Sequence, residues 1–117
     1  MPKTKMTPEP PRIRSPDFTQ VIGAFARDRA VSAGGAGFGA NALKIRGKIF
    51  AMSTSRGELV VKLPKSRVDE LVGLGVGERF DPGHGRRMKE WVVFWGSTAA
   101  AIALAREARV FVGAPKR

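Results

Sequence analysis

The chain has no cysteine and no tyrosine, one histidine (His84), and ten acidic residues against 21 lysines and arginines. The absence of cysteine excludes disulfides, thiolate catalysis and cysteine-ligated zinc or iron–sulfur centres. No run nears the roughly 18 apolar residues of a membrane-spanning helix, and the N-terminus lacks the apolar core of a signal peptide. A cytoplasmic protein with no membrane partner is the expectation. A Ser-His-acid triad would have to gather around His84, and no G-x-S-x-G elbow frames any serine. His84 stands between two glycines, with Arg87 and Lys89 nearby to disfavour its imidazolium. A metal site built on one histidine would have to draw in carboxylates from afar, and those present are scattered. No enzymatic activity, no cofactor and no metal are therefore expected.

What is abundant is positive charge. The 117 residues, enough for one small domain with a modest core, carry a formal net charge of +11. Such a balance favours an anionic partner: nucleic acid, an acidic protein surface or anionic lipid. Residues 1–15 contribute +3 and the final Lys116–Arg117 pair +2, so the body from 16 to 115 remains basic at +6. Residues 1–15, with five prolines in the first 16 positions, read as a disordered basic arm, residues 16–113 as a single domain, and 114–117 as a basic tail.

Ordered structure is expected to begin near Ser15, which can cap a helix with Pro16 at its first position and Asp17 in its first turn. Phe18, Val21, Ile22, Phe25 and Ala26 recur at helical spacing, with the helix fading near Arg29. Four glycines in "SAGGAGFGAN" mark a loop. This run lacks the Walker lysine and precedes a strand, so it is no phosphate cradle. Three strand-like runs follow, "ALKIR", "KIFAM" and "ELVVKL", with turns at Gly47 and Gly57. "PKSRVDELVGLG" reads as a second helix capped by Ser66 and ended by Gly73 or Gly75, with Asp69 and Glu70 on its solvated face. "ERF" and "KEWVVFW" read as two strands around the glycine-flanked His84, and a last helix runs from a capping Ser97 to Gly113. The order α-β-β-β-α-β-β-α argues an α+β fold, two layers deep, with an antiparallel sheet.

Strand alternation sets Lys44 and Arg46 opposite Leu43 and Ile45, and gives Lys62 the equivalent face of its own strand. Lys48 and Arg56 adjoin turns, and Arg86, Arg87 and Lys89 belong to the connection between the last two strands. The candidate nucleic-acid-binding set is therefore Lys44, Arg46, Lys48, Lys62, Arg86, Arg87 and Lys89, two basic hairpin tips and a basic sheet face able to contact DNA phosphates. Trp91, Val93 and Trp95 alternate with Val92 and Phe94, so both faces of that strand are apolar. This suits a central strand covered on both sides, or one lining a dimer interface. The tryptophans are read as core residues, with base stacking as the alternative. The rival function is a protein-interaction module, a homodimer or a clamp on an acidic protein partner.

Three patterns, Gly47-Lys48-Ile49-Phe50-Ala51, the Leu59–Leu63 strand with Lys62, and the Pro82-Gly83 hairpin leading to Trp91, occur in this order. Across residues 16–113 the chain resembles the N-terminal domain family of the TfoX/Sxy competence regulators. It is also similar to the YjbR/MmcQ family of small bacterial proteins. The resemblance implies a two-layer α+β fold and a DNA-binding, transcription-related role in which hairpins act as wings.

Overall fold

A computed structural model describes residues 16–33, 42–54, 57–81 and 88–114. The elements run α1 (Phe18–Ala24), β1 (Val31–Ala33), β2 (Ala42–Ile45), β3 (Lys48–Ser53), β4 (Leu59–Lys62), α2 (Lys65–Gly73), β5 (Gly77–Arg79), β6 (Trp91–Phe94) and α3 (Thr98–Gly113). The six strands form one antiparallel sheet in the order β1-β2-β3-β4-β6-β5. The fold is thus α+β, with the order read from the sequence plus one short edge strand, β1. That strand pairs Val31 with Ile45 and Ala33 with Leu43.

Register decides which residues form the core. Leu59 pairs with Phe94 and Val61 with Val92, and these four point to one face. Leu43, Ile45, Phe50, Ala51 and Leu63 join them, and Val21 and Phe25 of α1, Val68 and Leu71 of α2, and Ala101, Leu104, Ala105 and Ala108 of α3 close over them. All three helices therefore pack on the same side. The β2–β3 ladder slips between Leu43 and Lys44, opposite Ala51 and Ile49. The extra residue in β3 is Phe50, and this bulge lets Phe50 and Ala51 both turn inward. Phe50 then meets Phe25 edge to face, with centroids 5.4 Å apart and planes at 68°.

The helix ends show where local signals yielded to neighbours. Asp17, expected in the first turn, is the cap of α1: its carboxylate accepts from Thr19 N at 3.0 Å, and Ser15 lies outside the described residues. Asp17 N donates to Thr98 Oγ1 at 3.1 Å, so the starts of α1 and α3 are tied together. The helix stops at Ala24, short of Arg29, because Phe25 N bonds to Ile22 O and Ala26 N to Gly23 O in a tighter turn. Ser66 does not cap α2. The Pro64 carbonyl already accepts from Arg67 N and Val68 N at 2.9 and 3.0 Å, which starts the helix at Lys65. Ser97 does cap α3, accepting from Ala100 N at 3.0 Å. At the other end of α3, a Cβ on Gly113 would sit 2.9 Å from Ile45 Cδ1, so glycine permits the helix to end against β2.

Phe50 is fully buried at the centre of this core, whereas Val110 is 66% exposed on α3. Phe50→Ala should lower unfolding free energy by about 3–5 kcal/mol, against less than about 0.5 kcal/mol for Val110→Ala. Urea titrations followed by circular dichroism would separate the two.

Candidate nucleic-acid interface

The antiparallel topology brings distant basic residues to one end of the sheet. β2 runs into its turn at Arg46–Gly47, β4 finishes at Lys62, and β6 begins at Trp91, paired with Lys62. β5 ends at the same level, since Phe80 N donates to Trp91 O and Met88 N to Phe80 O, both at 2.9 Å. Leu63 N donates to Glu90 O at 2.9 Å, which fixes Glu90 beside the end of β4 and leaves Lys89 one residue beyond. Lys44, Arg46, Lys48, Lys62 and Lys89 therefore share what we call the hairpin end. Arg86 and Arg87 lie outside the described residues, as do His84, Arg56, the glycine-rich run from 34 to 41, the arm at 1–15 and the tail at 115–117.

Lys44 and Lys62 occupy the face of the sheet opposite the helices, as alternation predicted. Arg46 does not extend that row. It occupies the first central position of a two-residue turn, with φ 54°, followed by Gly47 at φ 80°. Positive φ at both positions is the geometry that asparagine–glycine favours and arginine does not. The turn holds the guanidinium at the outermost point of the hairpin, where Arg46 and Lys48 are exposed.

Most of the ion-paired carboxylates belong to the other layer, while Glu78 lies on β5 and Asp81 and Glu90 lie between β5 and β6. Arg67 of α2 grips Glu107 of α3 through Nε and Nη2, at 3.0 and 3.1 Å, and Glu70 through Nη1 at 2.9 Å. Asp69 accepts from Lys65 at 2.8 Å and also from Arg79. Asp28 binds Arg109 through both its oxygens and caps the chain entering β1 by accepting from Ala30 N at 3.1 Å. Three carboxylates, Glu107, Asp69 and Asp28, thus join the helices to each other, to β5 and to the turn before β1, and Glu70 braces Arg67 within α2. Lys44, Arg46, Lys48 and Lys89 make no ion pair among the described residues. Lys62 does have partners. Its Nζ lies 4.0 Å from Glu90 and 5.6 Å from the centre of the Trp91 ring. A half-exposed cation–π contact of this kind is worth about 0.5–1 kcal/mol, weak enough for the ammonium to move to a phosphate.

The tryptophans correct the expectation that they serve the core. Trp91 and Trp95 are half-buried, and neither belongs to the helix-covered cluster or packs against it. They lie on the face of Lys44 and Lys62, with Ile49, Met52, Val60 and Val93. β6 is an interior strand, but the described helices cover only one of its faces. Because both faces read as apolar, alternation alone could not assign them.

No group of three or more metal-ligating side chains gathers among the described residues, and none of the described helices is long and apolar enough to cross a membrane. A shallow cleft beside β5 is lined by Val72, Glu78, Arg79 and Asp81. Its two carboxylates oppose the anion that the hairpin end would attract. Comparison with protein-family models, curated proteins and solved structures finds no match to this chain.

Hydrogen bonds from Arg109 hold the Asp28 carboxyl below the usual carboxylate range, and Lys65 and then Arg79 do the same for Asp69. A folded-state pKa below the unfolded value of about 3.9 adds stability that is complete above that value and lost as pH falls through the folded one. Asp28→Asn should therefore be less stable than wild type at neutral pH, with the gap closing as pH falls below about 4. Urea midpoints across that range would show the convergence. A gap that persists in acid would mean that the carboxylate's charge is not what matters.

Proposed function

We propose that this chain is a small, non-catalytic DNA-binding protein of regulatory type that holds phosphates at the hairpin end of its sheet. The observation carrying this reading is that Lys44, Arg46, Lys48, Lys62 and Lys89 share one end of the sheet, while most partnered carboxylates lie on the helix layer. Arg86 and Arg87 belong to the same set by their place in the chain between β5 and β6. The sequence patterns that resemble the TfoX N-terminal and YjbR-like families point the same way, with hairpins in the role of wings, although comparison with known proteins finds no match. Arg46 supports it independently, because a side chain kept where the backbone disfavours it is the kind of local conflict that function maintains.

Phosphate contacts release counterions, so affinity must fall with salt. Five contacts give a slope of about −4 to −5 for log affinity against log salt, at about 0.9 per phosphate. Fluorescence anisotropy with labelled DNA across a salt series measures this. Reversing Arg46 and Lys48 to glutamate should weaken binding similarly for all sequences and lower the slope by about 1 per residue. Arg106→Glu on the helix layer should leave the slope unchanged. A flat salt response, or equal loss from both kinds of variant, would overturn the reading.

Arg46 also gives a test in which stability and binding move in opposite directions. Arg46→Asn should raise unfolding free energy by about 0.5–1 kcal/mol, because asparagine accepts positive φ in this turn, and should weaken DNA binding. Denaturant titration and anisotropy on the same preparation read both. A variant more stable and equally tight would remove Arg46 from the interface.

A further inference from the structure

We propose that the face of the sheet left uncovered by the described helices is a stacking platform for the bases of single-stranded nucleic acid, with Trp91 and Trp95 as the stacking rings. The inference rests on the nucleic-acid reading above and specifies the state of the strand. Adjacent rows of side chains cross this face. One row is Ala42, Met52, Val60, Val93 and Glu78; the next, toward the hairpin end, holds Lys44, Ile49, Lys62 and Trp91. Trp95 stands beyond the first row, its N–H bonded to Val76 O at 2.9 Å. Trp95 directly follows β6 and continues its alternation onto the same face as Trp91, four residues away, or about 13 Å at roughly 3.3 Å per residue. Between them Val60 and Val93 are buried at 0% and 3% exposure, although neither belongs to the helix-covered core. The surface this face offers is therefore that of the half-buried Trp91, Trp95, Ile49 and Met52 around them.

Charge selects the occupant. Lys62 is paired with Trp91, Lys44 lies in the same row three strands away on β2, and Arg46, Lys48 and Lys89 continue the positive track at the hairpin end, with Glu78 across from Val93 as the acid at the β5 edge. A second copy of this chain on the face would bring the lysines of both copies into one interface, at a desolvation and repulsion cost that apolar burial must overcome. A duplex keeps its bases stacked inside and offers this face only phosphates. A single strand offers both complements at once, bases for the indoles and phosphates for the lysines. Lys62 already lies over the Trp91 ring at 5.6 Å. A base taking that ring face displaces the ammonium to the adjoining phosphate, so ring and cation act as a pair.

Both tryptophans of the chain lie on this face, so their emission reports on it without any substitution. The full chain is titrated at low salt with a labelled homopyrimidine strand and with a duplex of equal length. The proposal expects tighter binding of the single strand and quenching of tryptophan emission by it. Trp91→Ala should weaken single-strand binding about 10- to 100-fold, Trp91→Phe should retain most of it, and duplex binding should change little in either. Equal affinity for strand and duplex with unchanged emission would overturn the stacking platform and leave the phosphate reading standing. Failure to bind either nucleic acid would remove both. Emission that instead changes with protein concentration alone, together with a salt-insensitive dimer by sedimentation, would assign the face to a second copy and overturn the proposal.

Discussion

The ladder between β4 and β6 is the constraint on which the rest depends. Leu59 opposite Phe94, Val60 opposite Val93, Val61 opposite Val92 and Lys62 opposite Trp91 fix the parity of both central strands. In this register two apolar pairs meet the helices, and Val60, Val93, Lys62 and Trp91 face away. A slip of one residue would turn Lys62 into the core and leave Val61 and Leu59 without cover, which burial energy does not allow. The same ladder sets Lys62 beside Trp91, and the β2–β3 and β3–β4 ladders bring the Arg46–Gly47 turn to the same end.

The two layers also divide the charges. On the helix layer, arginines and carboxylates are matched: Arg67 with Glu70 and Glu107, Arg109 with Asp28, and Arg79 with Asp69. These pairs are at least partly exposed, and individual pairs of that kind contribute little to stability. Their consequence lies elsewhere, in where the acids are not. Most cations at the hairpin end have no carboxylate partner among the described residues, so their field extends into solvent. Glu90, beside Lys62, and Asp81, next after Phe80, moderate it.

Much of this was legible in the chain because strong local chemistry coincided with the tertiary demand. Gly47 announced the β2–β3 turn, Ser97 the start of α3, and the alternation of Leu59, Val61 and Leu63 a strand with one buried face. Local signals fell short where a distant partner took part. Asp17, expected in the first turn of a helix capped by Ser15, is itself the cap, and its N–H donates to Thr98, 81 residues away. β1 escaped notice because Val31–Ala33 is three residues long and gains its strand character only by pairing with β2. Phe50 and Ala51 broke the alternation of β3 because a bulge buries both, and a bulge is visible only when the partner strand is known.

By itself, the sequence determined the element order, the positive balance and which residues could share a face, because propensity, turn chemistry and side-chain period are local properties. Tertiary structure decided which of the two apolar faces of β6 the helices cover, and so moved Trp91 and Trp95 from the expected core to the face of Lys44 and Lys62. It also decided that lysines and arginines far apart in the chain would meet at one end of the sheet. Both outcomes come from register and strand order, which depend on partners that no short stretch of sequence contains.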